Sequence, residues 1–291
     1  MECFVFTQFI FWPWFAGLTF LIAGLVAVRR ELAASVKLDK LIVLGPVFFA
    51  VPLAVFGAEH LAGAQFVMQV VPHWIPARLF WTYFVGFALI AAAVSILLKK
   101  HVRRSAMLLG AMFFLFVLFI HGPNVAMNPR DRIAWAVAFR DLAFGWGALA
   151  LAATQNNERR IHGPKLVVAR LSIAMIVIFF AVEHFLHPEF VPVVPLNKLT
   201  PTWMPFRLFL GYFTGAVMLA TGAAMLINRQ ARTAAIGLGA AIILLVVFIY
   251  LPILARAAQP QEIMEALNYV ADTLFFGGTV LVLAGSMPRP V

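Results

Sequence analysis

Residues 41–61 read LIVLGPVFFAVPLAVFGAEHL, an unbroken apolar run that meets its first ionisable side chains only at Glu59 and His60. A run of about 20 apolar residues is what an α-helix needs to cross the hydrocarbon core of a bilayer. Working outward from it, similar runs lie near 8–28, 78–98, 105–121, 133–153, 166–186, 207–227, 233–253 and 263–285, nine in all. The longest stretch between runs, from His187 to Pro205, is too short for a soluble domain. The sequence therefore predicts an all-α integral membrane protein of about nine transmembrane helices.

Composition agrees. Hydrophobic residues make up 63% of the 291 and charged residues 12%, about half the charged share of a soluble domain. Mean hydropathy is +0.95. A net charge of +10 raises nucleic acid as a partner. The basic residues instead fall in short clusters between apolar runs, which points to the lipid bilayer and away from nucleic acid. Alternate loops hold Arg29, Arg30, Lys37 and Lys40; Lys99, Lys100, Arg103 and Arg104; Arg159, Arg160 and Lys165; Arg229 and Arg232; and Arg289. The other loops hold only Arg78, Arg130, Arg132, Lys198, Arg207 and Arg256. Placing the richer set in the cytoplasm predicts an outside N-terminus and a cytoplasmic C-terminus. The start, Met1-Glu2-Cys3, lacks a basic leader, so 8–28 reads as a retained helix rather than a cleaved signal. Cys3 is the sole cysteine, which excludes internal disulfides, cysteine metal clusters and a thiol relay within the chain; no metal site is expected.

The chain also repeats itself. Phe56-Gly57-Ala58-Glu59-His60 returns as Phe180-Ala181-Val182-Glu183-His184, and Trp74-Ile75-Pro76-Ala77-Arg78 as Trp203-Met204-Pro205-Phe206-Arg207. Tyr83-Phe84-Val85-Gly86 is matched by Tyr212-Phe213-Thr214-Gly215, His121 by Tyr250, and Asp141 by Asp272. The second copy carries five extra residues between the Glu-His pair and the tryptophan motif. The expected organisation is an N-terminal helix and basic loop over 1–40, then parallel four-helix units over 41–160 and 161–291.

Four groups of residues are candidates for a site. Glu59-His60 and Glu183-His184 close their spans on the outer side. One such pair reads as a helix end at the interface, with histidine favoured by the C-terminal dipole; its recurrence adds a ligand site as a second reading. Arg78 and Arg207 begin the next spans. They suit ion pairs, Glu59 with Arg78 and Glu183 with Arg207, or a site for an anion or polar headgroup. Asp141 and Asp272 are deepest, Asp141 about eight residues into its span, or ~12 Å. An aspartate at such depth is a functional candidate by default. Each precedes glycines that suit close helix packing, Gly145 and Gly147, Gly277 and Gly278. Arg140 adjoins Asp141, but neighbours along a helix do not face each other, so the two are expected in different environments; Ala271 stands in its place in the second copy. His121 lies on the outer side with His60, His73, His184 and His187. Two histidines at one level can ligate haem b, but Tyr250 in place of His121 makes that pair a poor fit in the second copy. Arg170, about one turn inside its span, suits snorkelling.

Each unit resembles the DoxX/DoxD-type family of four-helix membrane proteins. The resemblance rests on Glu59-His60 with Val71-Pro72-x-Trp74-Ile75-Pro76. In the second copy it rests on Glu183-His184-Phe185-x-x-Pro188-x-Phe190 with Pro195 and Trp203-Met204-Pro205, and it is extended by Gly86, Gly215, Arg103-Arg104 and Arg232. It covers about residues 41–287. The resemblance implies membrane redox chemistry in a bacterial-type inner (plasma) membrane, the best-defined members being subunits of thiosulfate:quinone oxidoreductase. His60, Arg78, His184 and Arg207 would then hold a small anion, with quinone between helices and other membrane or redox subunits as partners. The chain departs from that family as a fused double copy with an extra helix. A related four-helix fold, that of sterol isomerases and sigma-2-like receptors, uses acids in a membrane cavity, which suits Asp141 and Asp272. Cysteine-dependent quinone-reductase bundles are excluded by the single Cys3. The expectation is a redox-associated subunit binding quinone or a small anion at two outward pockets, one per unit. The alternatives are a small-molecule or lipid transporter or binding protein, and a purely structural subunit of a membrane complex. No residue receives a catalytic role from sequence.

Overall fold

The computed structural model describes residues 2–155, 163–194 and 197–288, with side chains from residue 9 onward. The Cys3 side chain, Arg159, Arg160, Pro195 and Arg289 lie outside that part. Among the described residues nine helices are long and apolar enough to cross a membrane: α1 (Phe9–Ala34), α2 (Asp39–Ala62), α3 (Arg78–Leu97), α4 (Val102–Met127), α5 (Arg132–Thr154), α6 (Pro164–Leu186), α7 (Arg207–Leu226), α8 (Ala231–Arg256) and α9 (Pro260–Ser286). The chain thus reads as a multi-pass membrane protein.

Two ends run further than expected. The Gly122-Pro123 step predicts a stop at His121, yet α4 continues to Met127. A π-helical turn over Val117–His121 makes this possible. Proline inside a helix lacks one N–H and crowds the carbonyl four residues back; a wider turn just before it gives that carbonyl room, and Gly122 N–H bonds the Val117 carbonyl five residues back. α8 does the same, with a π turn over Val246–Tyr250 ahead of Pro252. Other local features recur at the same spacing. Left-handed residues precede α3 and α7, Ala77 at φ 52° and Phe206 at φ 55°, and precede α4 and α8, His101 at φ 56° and Gln230 at φ 51°. Pro76 and Pro205 sit in the turn before each helix, two residues ahead of its first helical residue.

Packing sets which helices are central. In the apolar window of α9, 83% of residues are buried, against 11% in α1. The helices α2–α5 and α6–α9 do not each close into a separate bundle. α2 lies along α9, α6 along α5, and α5 packs on α9 between them, while α1 lies against α2. Membrane helices gain no hydrophobic drive from meeting each other, so small residues and tight van der Waals contact hold the seam. A side chain at Gly278 would meet the Phe49 backbone nitrogen at 2.5 Å, and one at Gly147 would meet Thr279 at 2.6 Å. Beneath lies an aromatic cluster. Phe144 of α5 stacks on Phe275 of α9 with centroids 3.9 Å apart, and Phe49 meets Phe275 edge-on at 4.7 Å.

Candidate functional site

One helical turn from the Phe144–Phe275 stack, toward the rim where α2 and α6 end, the seam becomes charged. Asp141 and Asp272 are both buried. Arg140 lies between them. Its Nη1 donates to Asp272 Oδ2 at 2.5 Å and its Nε to Asp141 Oδ1 at 3.4 Å. Sequence neighbours do not face each other on a helix, but the long arginine side chain folds back far enough to reach its own neighbour as well as α9. The expectation of separate environments is therefore corrected. The guanidinium suits this place because its fixed fork of donors can serve two carboxylates at once. His121, the last residue of the π turn of α4, completes the group with Nε2 2.9 Å from Asp141 Oδ2.

Above this network is a cavity of about 260 Å³. One wall is a single stripe of α5, Ile133, Ala136 and Val137, ending on Arg140. The facing wall is a single stripe of α9, Glu265, Asn268, Tyr269 and Asp272. Both stripes have the i, i+3, i+4, i+7 spacing that lines up one helix face. Val194 and Asn197, from the loop between α6 and α7, close the rim side. The polar wall is internally bonded. Tyr269 Oη donates to Glu265 Oε1 at 2.7 Å and lies 3.2 Å from Asn197 Oδ1, and Lys198 pairs with Glu265. Asn268 Nδ2 donates to Glu59 Oε1 of α2 at 3.1 Å, while its Oδ1 is buried with no hydrogen-bond partner among the described residues.

The glutamate partners differ from those expected. Glu59 is bonded to Asn268, and Glu183 is met by Arg132 of α5 at 3.5 Å. Arg78 donates to the Val71 carbonyl at 3.5 Å, and Arg207 is exposed at the start of α7. Neither Glu59–Arg78 nor Glu183–Arg207 forms an ion pair among the described residues. The ends of α2 and α6 pack on α3 and α7, His60 against Gly86 and His184 against Gly215, but the Glu59 and Glu183 side chains reach across the seam to α9 and α5.

His184 has a structural task. It is 1% exposed. Its Nδ1–H donates to the Phe180 carbonyl at 2.5 Å, which leaves Nε2 to accept the Val193 N–H at 2.7 Å. Both ring nitrogens are used, so neither is available to a ligand or a haem iron. Val193 sits at φ 87°, a costly conformation for a β-branched residue, and is held by that bond and by its own burial. Tyr250 Oη, fully buried, donates to the Pro192 carbonyl. The five extra residues of this loop thus let it dip into the helix mouth. In the first copy His60 Nδ1 also bonds the carbonyl four residues back, Phe56 at 2.7 Å, but the shorter connection after α2 supplies no counterpart of Val193. Tyr250→Phe is expected to cost about 1–3 kcal/mol, because the buried Pro192 carbonyl loses its donor. The check is limited proteolysis in detergent, with faster cleavage within 187–206 than in the wild type.

The site therefore unites Asp141, Asp272 and His121, with Arg140 as their centre and Glu59 attached through Asn268. It leaves out His60, Arg78, Glu183, His184 and Arg207. Among the described residues no group of three or more His, Cys, Asp and Glu side chains is arranged for a metal ion. Glu265, Asn268, Tyr269 and Asn197 were not foreseen. The α9 members could have been, since Glu265, Asn268, Tyr269 and Asp272 share one face of the outer half of that helix.

Comparison with known proteins adds one match. A family model described as a domain of unknown function (DUF8561) matches residues 49–153, from within α2 to the end of α5. No curated protein and no solved structure matches the chain.

Proposed function

We propose that this is a membrane protein built from two duplicated, parallel four-helix units that binds one small molecule, polar at one edge and apolar along its body, in a cavity shared by both units. The observation that carries this is the cavity itself, with an apolar stripe of α5 facing a polar stripe of α9 above a buried charge network. Ligand sites combine apolar walls with a few placed polar groups in this way. Duplication is supported by the recurring π turns and left-handed residues, and by a family match that spans the four helices α2–α5. The copies have diverged into complementary halves. The first contributes Arg140, where the second has Ala271. The second contributes Glu265, Asn268 and Tyr269, where the first has Ala134, Val137 and Ala138. One joint site replaces the two equivalent pockets expected from the repeat. The excess of basic residues on the opposite loops orients the cavity outward, with the N-terminus outside and the C-terminus in the cytoplasm of a bacterial-type cell.

A second reading is favoured by the apolar wall and the DoxX-like resemblance. A quinone headgroup, flat and neutral, would lie against Ala136 and Val137 with its oxygens toward the polar stripe, in a redox-associated subunit. The small-anion form of that reading fits poorly, because Arg140 already faces Asp141 and Asp272.

The test is native mass spectrometry of the protein released from nanodiscs. One bound small molecule per chain is expected in the wild type, and its loss in Val137→Trp, which fills the cavity. Ala136→Phe fills the same wall less severely and should give the same result. A wild type that carries nothing, or a ligand retained by both folded variants, would sink the proposal. A redox-active quinone in the released fraction would select the second reading.

A further inference from the structure

We infer that the molecule this cavity accepts is an organic cation, a protonated amine held along the α9 stripe between Asp272 at its deep end and Glu265 at its rim end; this rests on the binding reading above and names its ligand class. The argument is a charge balance in a place where charge is costly. Four carboxylates belong to the cavity and its immediate supports: Asp272 and Glu265 in the wall, Asp141 behind Arg140, and Glu59 behind Asn268. Two cations meet them. Arg140 is shared between Asp141 and Asp272, and Lys198 pairs with Glu265. Among the described residues Glu59 is in no ion pair, although it is 7% exposed. His121 touches only Asp141 within the network.

A carboxylate taken out of water needs a counter-charge or a full set of donors. Here donors are short and acceptors are in surplus. Asp272 spends Oδ2 on Arg140, while Oδ1 accepts from no donor among the described residues. Asn268 Oδ1 is a buried acceptor without a donor among the described residues. An ammonium group brings three donors and one positive charge, which suits the carboxylate of Asp272 at the cavity wall. A carboxylate or thiosulfate ligand would add to the excess of negative charge, and a quinone would add only acceptors. The apolar α5 wall then takes the body of the amine, and a volume of about 260 Å³ has room for a body of a few carbons or one ring.

The experiment is isothermal titration calorimetry of the whole chain in lipid nanodiscs with three probes of similar size: 2-phenylethylamine, phenylacetate and a short-chain ubiquinone analogue. The amine is expected to bind saturably, one per chain, and phenylacetate not at all. Asp272→Asn should weaken the amine at least about tenfold. Because that change also disturbs Arg140, Glu265→Gln at the more exposed end of the stripe provides a second variant, also expected to weaken the amine. Val137→Trp should abolish binding. If phenylacetate or the quinone analogue binds instead of the amine, and Val137→Trp abolishes that binding, the cavity reading stands and the cation is overturned. If the wild type binds none of the three and native mass spectrometry finds no ligand, both fall.

Discussion

Arg140→Leu is expected to destabilise the protein by roughly 3–5 kcal/mol, the usual result of removing one partner from a buried ion network. The size follows from what remains. Asp141 and Asp272 are both buried, and Arg140 is the cation between them. Without it Asp272 loses its ion-pair partner, and Asp141 keeps only His121. Thermal unfolding in a fixed detergent is the measurement. Adding Asp272→Asn to Arg140→Leu should recover a large part of the loss, since the orphaned charge is then gone. Arg140→Lys should fall between, because an ammonium lacks the fork that reaches two carboxylates. Equal unfolding temperatures for Arg140→Leu and the wild type would show that the network does not join the units.

Gly278→Leu should have an effect of similar size by a different route. Even a Cβ at this position would lie 2.5 Å from the Phe49 backbone nitrogen and 2.7 Å from the Phe48 carbonyl carbon. Backbone cannot rotate aside, so α2 and α9 must separate. Overpacking a core costs about 1–3 kcal/mol when side chains can adjust, and more where they cannot. The separation would also pull Glu59 from Asn268, so ligand retention should fall together with stability. Gly237→Leu is the control, since nothing lies within 4 Å of a Cβ there; it should change little. A Gly278→Leu protein as stable as that control would mean that α2 and α9 are not packed as described.

The spans were legible because apolar length alone specifies a membrane helix, and the two acids were legible because aspartate at such depth stands out against Leu, Phe and Ala. Their pairing was not. The repeat suggested that each Glu-His helix meets the arginine of the following helix, within one unit. Packing across the seam gave Glu59 to Asn268 and Glu183 to Arg132 instead. Helix-to-helix choice in a membrane depends on small residues meeting a particular backbone, as Gly278 meets Phe49, and one sequence does not show which backbone that is. Arg140 was misread for a related reason. Residue spacing describes where Cβ atoms point, and an arginine carries its charge well beyond its Cβ. His184 was a ligand candidate because the Glu-His pair recurs; only the loop folded over it reveals that both nitrogens are taken.

The central claim is one ligand at a seam made by both units. A map of the protein in lipid, by cryo-electron microscopy with a bound antibody fragment, tests it most directly. A single non-protein density per chain is expected between Val137 and Asn268, touching Asp272. Density beside His60 and Arg78 and again near His184 and Arg207, one per unit, would contradict it.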